Sequence, residues 1–191
     1  TRGVLPCLRR AIELAEEGGD PGLLNQARQQ YELLVSTDSL NLRPEDYREN
    51  LRFWQHEFDR YKRVLTTRQD GRLADGLSLA GQKMAEAVLY APERSSLSFD
   101  EFAIVRSVFR VADRREGAER ALNWLQQTPA NQSLDRHRRV LLARAQVVLA
   151  EHAANPQQRE VHLNHAWEHL QQLPGREDMK PGKVSMLLDP V

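Results

Sequence analysis

Apolar residues recur along this chain three and four positions apart, the spacing of one face of an α-helix, and eight such stretches can be delimited with no convincing strand between them. The first covers about Leu5 to Glu17 and stops at Gly18-Gly19. Asp20-Pro21 then supplies a carboxylate to cap free N–H groups, with proline at the first helical position, where its missing N–H costs nothing. That second helix runs to about Val35. After the polar turn Ser36 to Arg43, Pro44-Glu45-Asp46 opens a longer helix to about Arg68, with acidic residues where the helix dipole favours them. Asp70-Gly71 interrupts the pattern, and a fourth helix is predicted from Leu73 to Ala91, ended by Pro92.

Ser98-Phe99-Asp100-Glu101 reads as a capping box with the serine as cap, starting a fifth helix to about Asp113. A sixth covers Glu116 to Gln127, before Pro129. A seventh starts after Ser133 and runs to about Ala153. Asn155-Pro156-Gln157-Gln158 is a second cap signature, and the eighth helix ends at Leu173, before Pro174-Gly175.

The later helices repeat one another. Gly81-Ala85-Val88-Pro92, Ala118-Leu122-Leu125-Pro129 and Leu163-Trp167-Leu170-Pro174 superpose with small or apolar residues at offsets 0, 4 and 7 and proline at 11. Arg106, Ala112 and Asp113 match Arg144, Ala150 and Glu151 at an offset of 38, whereas the sixth and eighth helices differ by 45. The later hairpin therefore has a longer turn, which chain entropy tolerates well. Recurrence at this period marks stacked helical hairpins, which bury their apolar faces only against neighbours. The expected fold is all-α: an α-solenoid of about four stacked antiparallel helical hairpins in one domain over 1–191, with 174–191 an irregular tail. In this reading Pro92, Pro129 and Pro174 each end the second helix of a hairpin, and Leu122, Trp124, Leu125, Leu163, Trp167 and Leu170 are largely buried. Val184, Met186, Leu187, Leu188 and Val191 concentrate apolar character in the tail, which is expected to cap the last helix pair.

The pattern resembles a divergent tetratricopeptide-repeat protein. Trp54, Phe58 and Tyr61 keep the two aromatic ends of the family's first-helix signature and lose its middle. Ala118-Leu122-Leu125-Pro129 and Leu163-Trp167-Leu170-Pro174 echo its second helix, as does Ala27-Tyr31-Leu34 without the proline. The resemblance covers Phe53 to Pro174. It implies a concave surface that binds peptides or proteins, and no binding residue of the family transfers by motif.

Composition narrows the class. With 40% hydrophobic and 28% charged residues the chain should fold rather than stay disordered. Lys+Arg and Asp+Glu balance at 27 each, so no overall basic excess steers it to nucleic acid or an anionic membrane. No stretch approaches the ~20 apolar residues of a membrane helix. The start at Thr1 carries no signal-peptide pattern, and a start without Met fits a piece of a longer protein. A cytoplasmic location is favoured. The single cysteine, Cys7, excludes an internal disulfide framework and, beside Leu5, Leu8 and Ile12, is expected to be a buried inert thiol.

Two polar clusters carry candidate chemistry. Arg136, Arg138 and Arg139, with His137 among them and Arg144 further on, could clamp a carboxylate or phosphate, since guanidinium forks pair bidentately with both. They are the partner-binding candidates, for an acidic peptide or protein, although a solvated face is the more common explanation of such a cluster. Arg60, Lys62, Arg63 and Arg68 are spread around their helix and form no stripe. His162, His165 and His169 fall within about 60° on the eighth helix. Three imidazoles could hold zinc or sense pH, but no fourth ligand is identifiable, and packing with hydrogen bonds to a neighbouring helix explains them more simply. Trp54, Phe58 and Tyr61 at i, i+4, i+7 read as hairpin core, as do Trp124 and Trp167.

No Gly-rich phosphate loop, nucleophile elbow or His-Glu-x-x-His pair occurs, so no catalytic residue, metal or cofactor is assigned. The expected function is a non-catalytic interaction or scaffold domain for a protein or peptide partner, with no nucleic acid and no direct membrane insertion. The Ala/Arg/Gln/Leu-rich texture suggests a bacterial source, where such a scaffold would fit an assembly or secretion machine. The alternative is the regulatory helical-repeat segment of a transcriptional activator.

Overall fold

A computed structural model describes residues 3–35, 43–67, 70–94, 100–128 and 135–173, which form eight helices and, among the described residues, no strand. They are α1 (Val4–Gly18), α2 (Pro21–Val35), α3 (Pro44–Leu65), α4 (Gly71–Arg94), α5 (Glu101–Phe109), α6 (Arg114–Gln127), α7 (Asp135–Glu151) and α8 (Pro156–Gln171).

Local chemistry sets most boundaries. Gly19 adopts the left-handed conformation at φ 66°. Its N–H and that of Asp20 return to the carbonyls of Glu16 and Ala15, satisfying two groups that a helix end leaves open. The Asp20 carboxylate accepts from Gly22 and Leu23 N–H, both at 3.0 Å, and so starts α2 ahead of Pro21. Asn155 caps α8 by accepting from Gln158 N–H at 2.9 Å, while Gln158 reaches back to Ala154 N–H.

Three expected boundaries are corrected. Pro92 lies inside α4, in its last turn, rather than beyond it. That turn is held by tertiary contacts: Ala91 is buried, and Glu93 is paired to arginines of α6 and α7. The cap of α5 is Asp100, which accepts from Ala103 N–H at 3.0 Å; Ser98 lies outside the described residues. α5 ends at Phe109, not Asp113, because Arg110 turns left-handed at φ 56° and Asp113 is instead the cap of α6, accepting from Glu116 N–H at 2.9 Å. Arg120 of α6 donates to the carbonyls of Phe109 and Arg110 and thereby closes the end of α5. Pro129, Pro174 and the apolar tail also lie outside the described residues.

α1 and α2, α3 and α4, and α7 and α8 pack as sequential pairs. α5 and α6 do not lie along one another; α5 packs on α3 and α4, and α6 on α4 and α7. A continuous core runs through α3 to α7, centred on Phe58, Met84, Leu89, Phe109, Leu125 and Leu141. Each such side chain contributes roughly 1.5–3 kcal/mol on burial. Positions 141–150 of α7 are buried without a break, because α4, α6 and α8 enclose the helix.

Two glycines of α4 permit the close approaches. A Cβ at Gly76 would stand 2.6 Å from the Tyr61 ring of α3, and one at Gly81 would stand 2.7 Å from Thr128 at the end of α6. A smaller apolar cluster joins α7 to α8 through Ala143, Val147, Ala166, Leu170 and Leu173. Leu125 and Leu170 are buried as expected, but Leu122, Trp124, Leu163 and Trp167 are only partly so. Leu163 and Trp167 sit on the rim of the α7–α8 cluster, where no described helix covers them.

Cys7 is exposed, correcting the expected buried thiol. Two residues along a helix is a rotation of about 200°, so Cys7 points away from the face on which Leu5 and Ala15 are buried. Leu34, aligned with the repeat, is exposed as well.

Candidate functional site

The basic start of α7 is divided by its surroundings. Asp135, in the same helical turn, answers two of the arginines: Arg139 Nε lies 2.5 Å from its Oδ2 and Arg138 Nη1 lies 3.8 Å from its Oδ1. Arg138 also donates to the Leu125 carbonyl at 3.0 Å, serving an open group at the end of α6. Arg139 reaches Gln172 beyond α8. Arg144, with a side chain only 7% exposed, pairs with Glu93 of α4 and places its guanidinium 5.5 Å from the centre of the Tyr90 ring. Arg136 and His137 alone of this group are exposed. Three of the four candidate arginines are therefore engaged within the fold, and the four do not converge on one external anion.

Glu93 is the hub of a wider network. It also meets Arg114 at 3.4 Å, and Arg114 reaches Glu151 at 3.9 Å, so the end of α4, the start of α6 and the end of α7 are tied by alternating charges. Of its members only Arg144 is buried, and a buried charge is tolerated only when paired.

His162 and His169 face the α7 side of α8, and His165 faces solvent. His162 Nδ1 lies 2.8 Å from Gln146 Oε1 of α7; an amide oxygen only accepts, so that ring nitrogen carries the proton. Burial, then the nearby His165 and Arg115, lowers the pKa of His162. Burial also lowers that of His169, with Arg139 and Arg138 acting in the same direction. Among the described residues no group of three His, Cys, Asp or Glu side chains is placed to hold a metal ion. Among the same residues no helix is long and apolar enough to cross a membrane.

Two features escaped the sequence reading. The first is a polar joint on α3, where Asp46, Glu49 and Asn50 are all buried on the side facing α1 and α2. Asp46 accepts from Leu5 N–H, Glu49 accepts from Tyr31 Oη at 3.0 Å and from Arg9 at 3.4 Å, and Asn50 donates to the Val35 carbonyl. Burial and the adjacent Glu49 carboxylate push the Tyr31 phenol well above its ordinary value, so it stays a donor. Spacing i, i+3, i+4 was the available signal, masked by reading Asp46 only as a first-turn acid.

The second feature is apolar exposure. Val4, Leu14 and Leu23 are each 51% exposed and Leu33 64%, with Leu34 beside it, so the large exposed apolar side chains of the described residues gather on α1 and α2. Elsewhere they occur singly, at Val64, Leu79 and Val161. A groove of about 710 Å³ also lies between the end of α3, the start of α4 and the end of α6, walled by Leu65, Ala74 and Leu77, with Lys62 bonded to Gln127 at its rim. Compared with known proteins, the chain matches no family model, no curated protein and no solved structure.

Proposed function

We propose that this chain is a non-catalytic interaction module that binds a protein or peptide partner through the α1–α2 hairpin. The observation that carries the reading is the gathering of exposed Val4, Leu14, Leu23 and Leu33 on that hairpin. Apolar surface left in water costs about 25 cal/mol per Å², and such gatherings mark contact surfaces far more often than isolated exposed leucines do. In this reading the helices form a divergent repeat array. α1–α2, α3–α4 and α7–α8 are its hairpin units, and α5–α6 is a unit that has opened into a corner.

A partner docking at the start of α7 would meet Arg136 and His137, the exposed members of that basic group. This leaves the apolar surface as the stronger determinant of binding.

The test is capture and cross-linking from the source organism with the wild-type chain and a Leu14→Glu/Leu33→Glu variant. Both side chains are exposed, so the variant should keep its helical content and melting temperature. The reading expects a stoichiometric partner retained by the wild type and lost by the variant. Identical partner profiles for the two proteins would refute it.

A further inference from the structure

A second cavity, of about 430 Å³, lies where α1, α2 and α3 meet, within the size range of small-ligand sites. Its apolar wall is made by Ile12, Tyr31 and Phe53, the two rings standing edge to face with centroids 6.1 Å apart. Three guanidiniums, of Arg9, Arg28 and Arg52, border it.

Their partners distinguish them. Arg9 is committed to Glu49, whose oxygens are taken by Arg9 and by Tyr31. Arg28 pairs with Glu16 at 2.6 Å, but both side chains are about half exposed, so the pair holds little free energy and can open. Arg52 is exposed and has no ion-pair partner among the described residues. Glu49 and Glu57 are the acids of the wall. Arg9 is answered by Glu49 and Arg28 by Glu16, which leaves Arg52 as the guanidinium of the wall for a ligand to neutralise, and the carboxylates of the wall oppose a dianion.

We propose that this cavity binds a monoanion, a carboxylate carried on a compact apolar body, with Arg52 and Arg28 taking the carboxylate and Phe53 and Ile12 the body. Such a group comes from two sources, a free aromatic acid or an acidic residue next to an apolar one in a peptide. The site is separate from the exposed leucines of α1 and α2, and its test does not depend on them.

The experiment is an NMR titration of the full chain, following the Arg52 side-chain N–H and the Phe53 ring. The probes are 3-phenylpropionate, its neutral amide, inorganic phosphate and the blocked peptide acetyl-Ala-Asp-Phe-Ala-amide. Saturable binding of 3-phenylpropionate or the peptide is expected, weakened about tenfold in Arg52→Gln and less in Arg28→Gln. The amide should bind about tenfold more weakly than the acid. The source is the peptide if it binds tighter than the free acid, and the free acid otherwise.

Melting curves of both variants should match the wild type, since both arginines are exposed. The proposal is overturned if neither carboxylate saturates by roughly 10 mM, if the amide or phosphate binds as tightly as the acid, or if Arg52→Gln leaves the affinity unchanged.

Discussion

Asp46 Oδ1 lies 2.7 Å from the backbone nitrogen of Leu5, so a carboxylate on α3 caps the first turn of α1 across a separation of 41 residues. The residue before α1 is Gly3, which has no side chain to cap with, and a Cβ there would stand 2.6 Å from Asp46. One contact therefore both starts α1 and docks it. Asp46→Ala should cost about 1–3 kcal/mol, because it removes a cap and leaves a buried N–H without a partner. Asp46→Asn retains an accepting oxygen and should lose less than half as much. Urea unfolding gives the totals, and amide exchange should show the loss at Leu5 and the first turn of α1 before it reaches α7. Unchanged exchange at Leu5 in Asp46→Ala would show that the cap is not formed.

What the sequence disclosed follows from how far each determinant reaches. Asp20-Pro21, Asn155-Pro156 and Gly18-Gly19 act on groups within five residues, so their helix boundaries were legible. Asp113 and Glu116 had the same spacing and were legible too, but the apolar run through Val111 concealed the break. The start of α7 looked like an open anion clamp because Glu93, the partner of Arg144, is 51 residues away and nothing local announces it. The joint at Asp46 and Glu49 was hidden for the same reason. Cys7 failed differently: its neighbours in sequence are apolar, but it stands on the far side of the helix from them.

The Arg144–Glu93 pair should behave as a structural element. Arg144 is the buried member of the pair, so Glu93→Ala, which strands its guanidinium, should cost about 3–5 kcal/mol. The Arg144→Leu/Glu93→Leu double variant should recover most of that loss, because apolar residues of similar size often replace a buried pair at little cost. Arg114, which also uses Glu93, will keep the recovery short of complete. Chemical unfolding of the three proteins decides it. A double variant as unstable as the single one would mean that the ion pair supplies net stability.

Gly81 offers a check on how closely α4 and α6 pack. In an open helix Gly→Ala stabilises by about 1 kcal/mol. Here the added carbon would stand 2.7 Å from Thr128 Cγ2 and 3.2 Å from the Phe58 ring, and both neighbours are buried. Thr128 is further fixed by its hydroxyl, which donates to the Leu125 carbonyl at 2.8 Å. Overpacking of this kind costs about 1–3 kcal/mol, so Gly81→Ala should be neutral to destabilising. Gly18→Ala, at the end of α1 where an added Cβ meets nothing within 4 Å, is the control and should show no such loss. A thermal melt in which Gly81→Ala gains stability would place α6 further from α4 than described.

Stability should fall on mild acidification, and His169 should account for part of the fall. Its pKa is lowered from the ordinary 6.5, first by burial and then by Arg139 and Arg138, with His165 adding to the effect and Glu168 opposing it. A base whose folded pKa is depressed binds fewer protons folded than unfolded. Its neutral form is therefore no burden above pH 6.5, and folding loses free energy as the pH falls through 6.5 toward the lower folded value. His162, lowered by burial and next by His165, adds to the same slope, and its protonation would also set a second charge beside Arg115. His169→Gln should flatten the decline in urea midpoint between about pH 7 and 5, and His162→Gln/His169→Gln should flatten it further. If the double variant loses stability with acid as steeply as the wild type, the two histidines are not the source of the decline.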